Sequence, residues 1–231
     1  MNRAILSQRI TSILADLNRL TNALYAMNTT DIQRYPDNYE VLSADAALRA
    51  ENIACRLRHL IYASTGIKKS EYLTSAATMQ GINVEKKGDV LEITLPCLLP
   101  KRKQRQSTEY LLDPFTATMS QYTRNHPLPR LQHCVVCFSH VYCQDLPERR
   151  VRDYDNLELK QFLDVAASFI LTDDSGLLCD AYNTTELGET DCTRISIMSS
   201  AHFPEWLAER QAALQSITDL QQKSPLTGVP F

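Results

Sequence analysis

Residues 149–176 read RRVRDYDNLELKQFLDVAASFILTDDSG. Two aspartates separated by one residue, Asp153 and Asp155, follow three arginines, and a second acidic pair, Asp173 and Asp174, follows an apolar segment and lies near a glycine. The apolar segment predicts a helix with negative charge at both ends and positive charge beside the first.

The spacing of these acids predicts that they converge. On an extended backbone, residues two apart project to the same side, so Asp153 and Asp155 aim their carboxylates at one point and Tyr154 faces away. A helix that begins at Asp155 or the next residue, runs to about residue 166 and ends before about residue 168 allows an extended return to bring Asp174 beside them. Each pair also has a simpler interpretation, in which Asp155 caps the helix and the second pair forms a turn.

Three converging carboxylates repel one another unless a cation neutralises them. Oxygen ligands select a hard ion, and Mg²⁺ uses one or two carboxylates together with substrate phosphate. The neighbouring arginines suit a phosphate backbone. The chemistry that fits this combination is metal-assisted hydrolysis of a phosphodiester.

Upstream of this segment, HCVVCFSHVYC at residues 133–143 invites comparison with a zinc site. A zinc knuckle needs a tight turn between its cysteines, whereas Cys134 and Cys137 are separated by two valines, which are stiff and favour strands. Positions three apart in a strand also point to opposite faces. The pattern therefore predicts a buried strand and no zinc.

Periodicity predicts the remaining elements. Helices are predicted over residues 1–27, from Ser43 after a break at Pro36, and over residues 70–80. Residues 81–96 predict a hairpin, which is followed by a helix that Asp113 caps and Pro114 begins, the strand at residues 134–142, and two strands after the second acidic pair. A last helix is predicted from Phe203.

The first helix carries a coiled-coil-like seam with alternating spacings of four and three: Leu6, Ile10, Ile13, Leu17, Leu20, Leu24 and Met27. The seam either packs on the other helices of the same chain, which we favour, or pairs two chains.

The pattern R-D-Y-D-N, then a helix and D-D, resembles the RusA family of Holliday-junction endonucleases over about residues 88–200. The surrounding order is similar too: a strand ending in L-P, a basic loop, a helix, a strand, a basic approach, the motif helix and two strands. The resemblance implies a small α/β domain, a homodimer, and cutting of branched DNA with Mg²⁺, for which Mn²⁺ is the alternative ion.

The same resemblance implies roles for individual residues. It assigns the catalytic and metal-binding acids to Asp153, Asp155 and Asp174, with Asp173 as the neighbouring metal ligand. The family's helix lysine falls on Leu159, so Lys160, one position further along, is the candidate for its catalytic role.

Basic residues cluster in two loops and are expected to contact nucleic acid. They are Lys101, Arg102, Lys103 and Arg105 in the first loop, and Arg149, Arg150 and Arg152 in the second. The alternative is that both loops are merely solvated. Because the net charge of the chain is −3, any nucleic-acid face must be a local patch rather than a uniformly basic coat.

The sequence predicts a cytoplasmic protein. No apolar run approaches the roughly 18 to 20 residues of a membrane span, and polar residues interrupt the N-terminus too often for a signal peptide. Seven cysteines would stay reduced in that compartment.

Together these features predict an α+β fold: an N-terminal helical bundle at residues 1–80, a RusA-like domain with a small mixed sheet at residues 81–200, and a C-terminal helix and tail at residues 201–231. The predicted function is a Mg²⁺-dependent, structure-selective DNA endonuclease that dimerises mainly through the RusA-like part. The alternative is a RusA-like domain that has lost catalysis and binds nucleic acid or recruits a partner. A D-x-D glycosyltransferase would need a longer α/β sheet.

Overall fold

The structure is a computed structural model, and it describes residues 2–102, 108–145 and 151–212. The chain divides into a helical unit, Met1–Ile82 with Pro100–Gln121, and a sheet unit, Asn83–Leu99 with Tyr122–Phe231. Residues 100–121 belong to the helical unit, whereas the predicted division placed them in the second domain. The predicted α+β class is confirmed in its coarse form, a set of helices together with a five-stranded mixed sheet.

Two long helices, α1 (Arg3–Thr29) and α2 (Pro36–Ser64), begin the helical unit. The side chain of Asn2 caps α1 by accepting a 3.0 Å hydrogen bond from the backbone N–H of Ala4. The prediction that α2 starts at Ser43 is wrong, because Pro36 occupies the first turn instead of breaking the helix. A proline costs no hydrogen bond there, since the first N–H groups of a helix have no partner within the helix.

Polar contacts accompany the packing of α1 on α2. Ile13 is the buried residue of α1, and Ile53 is buried on α2. Arg56 of α2 forms an ion pair with Asp16 and donates a 2.8 Å hydrogen bond to the Ser12 hydroxyl. One side of the predicted seam therefore packs inside the chain.

The helical unit continues with α3 (Lys69–Gln80), which confirms the predicted third helix and ends where Gly81 adopts a left-handed φ of 80°. The next helix, α4 (Glu109–Asn125), begins before Pro114 rather than at it. Because proline has no N–H, the carbonyl of Tyr110 four residues earlier loses its helical partner. Arg58 and Gln80 replace that partner, with hydrogen bonds of 2.9 and 3.0 Å to the Tyr110 oxygen.

The sheet unit contains the strands in the order β1-β2-β5-β3-β4. Their bounds are β1 Asn83–Lys87, β2 Val90–Leu95, β3 Cys134–Cys143, β4 Cys179–Gly188 and β5 Cys192–Ser199. Only β3 and β4 run parallel among these strands, and the other neighbours are antiparallel. Between β3 and β4 the chain forms α5 (Lys160–Ile170), as a parallel crossover requires. The predicted hairpin and the three later strands are confirmed.

Strand β3 lies between β4 and β5, and its first nine residues are buried. Alternation along the strand places Val135 and Cys137 on one face and Val136 and Phe138 on the other. Helix α6, described over residues 203–212, covers the first face with Phe203 and Trp206, which pack on a cluster of Val90, Val135, Cys137 and Met198. The predicted strand at the paired cysteines is therefore confirmed, and so is the start of a helix at Phe203.

Helices α1 and α2 are long enough for a membrane span, but length alone does not indicate one, because a span must also be apolar. Within the described residues, no helix combines sufficient length with sufficient apolar character to cross a membrane.

Candidate functional site

The Asp-Tyr-Asp motif lies in the sheet unit, on a turn that precedes α5. Tyr154–Asn156 form one turn of 3-10 helix, and Asp153 occupies the N-cap position with extended dihedral angles of −65° and 141°. The predicted extended backbone from Asp153 to Asp155 is therefore wrong. A 3-10 turn rotates successive side chains by about 120°, so residues two apart do not share one side. Both aspartates are exposed.

Tyr154 attaches this turn to the sheet instead of facing away. Its hydroxyl is 3.0 Å from the Thr185 hydroxyl on β4, and its ring centroid lies 5.5 Å from that of His140 on β3. Just before the turn, the backbone N–H of Arg152 donates a 3.1 Å hydrogen bond to the hydroxyl of Tyr142. Side chains from two parallel neighbouring strands therefore fix the position of the motif.

His140 is the buried polar residue beneath the turn. Its side chain is fully buried, its Nε2 atom lies 3.5 Å from the Asn183 Oδ1 atom, and its Nδ1 atom has no hydrogen-bond partner among the described residues. Burial lowers the pKa of His140, and the contact with Asn183 opposes this effect. Sequence reasoning considered His140 only beside the cysteines. A histidine within an otherwise apolar strand was the available signal.

Helix α5 begins later and ends later than predicted. It starts at Lys160 and continues to Ile170, so the expected end before about residue 168 is wrong. The buried residues Phe162, Ala166 and Ile170 recur every four positions, and burial of this stripe extends the helix to its last member. Because the helix takes up the chain as far as Ile170, little chain remains for an extended return to the Asp-Tyr-Asp turn.

The second acidic pair lines a surface cavity along the C-terminal half of α5. The cavity has a volume of about 350 Å³ and is lined by Arg130, Asp164, Ala167, Ser168, Leu171, Thr172, Asp173 and Asp174. Arg130 donates hydrogen bonds to the backbone carbonyls of Ser168 and Leu171, so its guanidinium holds the end of α5. Asp173 accepts a 3.2 Å hydrogen bond from the N–H of Ser175, as in the predicted turn. Sequence reasoning missed Arg130 and Asp164.

Lys160 contacts one of the acids that line this cavity. Its ammonium group forms a 3.0 Å ion pair with Asp164, one helical turn further along. This pair raises the pKa of Lys160, and the negative charge of Asp174 raises it further, although more weakly. Asp174 therefore lies within electrostatic range of the candidate lysine.

The aspartates have the right donor atoms for Mg²⁺ but not the arrangement of a preformed site. All four predicted ligands lie within the described residues. Within those residues, no three His, Cys, Asp or Glu side chains come together in a group that could hold a metal ion. The structure thus places Asp153 and Asp155 on one turn and Asp173 and Asp174 at the cavity, without joining the two pairs into a ligand cage. Mg²⁺ binding stays a prediction.

The predicted basic residues are only partly described. Lys101 and Arg102 are exposed residues of the helical unit. Arg152 belongs to the sheet unit, is half-buried, and donates a 3.4 Å hydrogen bond to the carbonyl of Leu99. Four further predicted residues, Lys103, Arg105, Arg149 and Arg150, lie outside the described residues. A nucleic-acid role for all seven stays a prediction.

Burial determines the chemistry of the two cysteines that suggested a zinc site. All seven cysteines lie within the described residues and none of them forms a disulfide there, and Cys134 and Cys137 are buried on opposite faces of β3. Burial raises the pKa of each of these two thiols to about 12, which disfavours the thiolate that a metal ligand or nucleophile requires.

The fold and the candidate site define an α+β protein in which two aspartate pairs flank one helix. The chain belongs to a family of unknown function (DUF6100), whose model matches residues 2–221. No curated protein matches the chain. The family match spans both units, so the N-terminal helices are as much a part of the family as the sheet.

Proposed function

We propose that the protein, whose sheet unit is RusA-like, binds branched DNA as a binding module rather than as a nuclease. The observation that carries this proposal is the arrangement of the acids: Asp153 and Asp155 lie on the turn before α5, whereas Asp173 and Asp174 lie at a cavity beside its C-terminal half. The order of the elements from β2 to β5 supports the RusA-like part of the proposal.

The arrangement of charges supports binding without hydrolysis. A metal-dependent phosphodiesterase needs carboxylates that converge on the ion, and the described aspartates do not form such a group. Lys160, the candidate for the family's lysine, is occupied by its ion pair with Asp164. The free energy of DNA binding would come instead from exposed cations such as Lys101 and Arg102, which release counterions from the phosphate backbone.

The proposal is tested with a fluorescently labelled four-way junction and a duplex of equal length, by anisotropy across a range of salt concentrations. We expect the junction to bind more tightly, with an affinity that falls steeply as salt rises. The double variant Lys101→Glu with Arg102→Glu should lower the slope against salt by about two, or roughly one for each lost phosphate contact. The control, Lys68→Glu with Lys86→Glu, changes the net charge equally at two other exposed lysines.

Two outcomes would overturn the proposal. One is binding that does not respond to salt, and the other is an equal loss of affinity in the variant and in its control. A control as damaging as the variant would mean that only net charge matters and that no local patch exists.

The second candidate function is the Mg²⁺-dependent endonuclease. The influence of Asp174 on the pKa of Lys160 favours it, because this influence indicates that one acid of the second pair lies within electrostatic range of the start of α5. Incubation of the junction with and without Mg²⁺ decides between the two functions. If cleavage requires Mg²⁺ and is lost in Asp155→Asn while DNA binding persists, the protein is a nuclease rather than a binding module. Asp155 is exposed, so the amide variant should keep the fold.

We also propose that the protein works in the cytoplasm. The seven cysteines, none of which forms a disulfide within the described residues, support this location, because thiols stay reduced in that compartment.

A further inference from the structure

Helix α1 carries an exposed apolar surface on the helical unit, which we call the outer stripe. Its members are Ile10, Leu14, Leu17, Leu24 and Tyr25. Leu14 is 54% exposed and Tyr25 is 68% exposed, which are large fractions for side chains of this size. From Ile10 to Leu24 the stripe follows spacings of four, three and seven residues, so it stays on one side of the helix.

The outer stripe is exposed because the predicted seam of α1 is wider than the surface that packs within the chain. Ile13 is buried and Leu20 is half-buried, so this edge of the seam packs within the chain, where α1 lies against α2. Ile10, Leu17 and Leu24 belong to the same seam but remain exposed. A helix that is apolar on two adjacent sides is typical of a bundle with more than two helices.

We propose that the outer stripe binds a second copy of this chain, with the two α1 helices antiparallel and Leu17 on the two-fold axis. Ile10 lies seven residues before Leu17 and Leu24 lies seven after it, so each would meet the other across the axis. Such self-complementarity is what a symmetric dimer interface requires.

The charges near the stripe complement one another in this arrangement. Arg3 begins α1, fourteen residues before Leu17, and Asp31 lies in the turn just after α1 ends at Thr29, so the antiparallel pair would bring opposite charges near one another at both ends. In the middle of α1, Asp16 is bound to Arg19 and to Arg56 of α2. At about 100° per residue, Arg19 points away from Leu17. These two charges of α1 therefore do not oppose the central contact.

This interface differs from the one expected from the sequence, which placed the dimer mainly in the sheet unit. It uses only residues of the helical unit and does not depend on DNA binding. The dimer would form whether or not the proposed function is correct.

The first test is sedimentation equilibrium of the full-length chain at micromolar concentrations. We expect a dimer for the parent, and a monomer for Leu17→Glu, because two carboxylates would face each other on the axis. The dissociation constant should rise by roughly 100-fold or more. The matched control is Met79→Glu, at an 88% exposed residue of α3, which should remain a dimer. Circular dichroism should show equal helicity in all three proteins.

The second test uses the paired charges. Arg3→Glu and Asp31→Lys should each weaken the homodimer, because each places like charges opposite one another. A mixture of the two variants should recover a heterodimer about tenfold tighter than either homodimer. Recovery would persist even if Asp31→Lys also loosens the turn that Asp31 supports through the N–H groups of Gln33 and Arg34.

A parent that is monomeric up to about 100 µM would overturn the proposal, since an interface of this kind should saturate well below that concentration. A dimer that survives Leu17→Glu unchanged would also overturn it, by assigning the contact to another surface. If the parent is monomeric and binds some other protein through the outer stripe, the proposal of a second copy is wrong and the stripe serves a different partner.

Discussion

The pH dependence of stability tests the buried His140 beneath the Asp-Tyr-Asp turn. Burial lowers the pKa of His140 in the folded protein, whereas the unfolded chain has the ordinary value of about 6.5. Above that value both states are neutral at this residue, and stability does not respond to pH through it. As the pH falls below about 6.5, the unfolded chain binds a proton that the folded protein excludes, so stability is lost until the pH reaches the folded-state pKa.

The size of the effect follows from this one residue. A single excluded proton changes the free energy of unfolding by at most about 1.4 kcal/mol per pH unit. Between pH 7.0 and pH 5.5 the loss attributable to His140 is therefore at most about 1.3 kcal/mol. With about 1 to 3 kcal/mol per molar urea for a small unit, the urea midpoint should fall by no more than roughly 0.4 to 1.3 M.

Urea unfolding followed by tryptophan fluorescence measures this loss in the relevant unit. Trp206 is the only tryptophan of the chain, and it packs on the sheet cluster across β3 from His140. The variant His140→Gln keeps an N–H donor for Asn183 but does not titrate, so the parent should lose more stability than the variant. The other histidines cancel in this comparison. Equal losses in both proteins would refute the argument that burial suppresses the charge on His140.

Three further predictions concern the sheet unit. Phe162→Ala removes a fully buried ring of α5 and should cost about 3 to 5 kcal/mol in urea unfolding. Gly188→Ala would place a Cβ atom 2.7 Å from the Cγ1 atom of Val141 and should cost about 1 to 3 kcal/mol, and a further Val141→Ala change should cost less in that background than in the parent. Because burial raises the pKa of Cys134 and Cys137 to about 12, a thiol reagent at pH 7.5 should modify them only under denaturing conditions, as mass spectrometry of native and denatured samples can show.

Different contacts position the two aspartate pairs of the candidate site. Tyr154 holds the Asp-Tyr-Asp turn against two strands, whereas the second acidic pair follows the end of α5, which Arg130 holds through the carbonyls of Ser168 and Leu171. Nothing in either set of contacts pulls the carboxylates together, and their like charges oppose it. If Asp155→Asn removes cleavage, the ion or the DNA must supply the free energy that brings the acids together.

Local patterns in the sequence determined most of the elements. The apolar run of β3, the hairpin around Gly88 and the end of α3 at Gly81 were predicted because each depends on residues adjacent in the chain. Gly88 and Gly81 both adopt positive φ angles, which other residues rarely do, so their positions marked the turns in advance. The mixed α+β class followed from these elements.

Only the tertiary structure decided the features that depend on distant partners. Helix α4 extends upstream of Pro114 because Arg58 and Gln80 satisfy the Tyr110 carbonyl, and neither residue is near it in sequence. Tyr154 holds the motif turn on the sheet through its contact with Thr185. No local pattern in the sequence could identify Thr185 as the partner of Tyr154. Periodicity likewise identified the α1 seam but not which of its sides α2 would cover. In each case the free energy that decides the structure comes from a contact between residues distant in sequence. Patterns among neighbouring residues carry no information about such a contact.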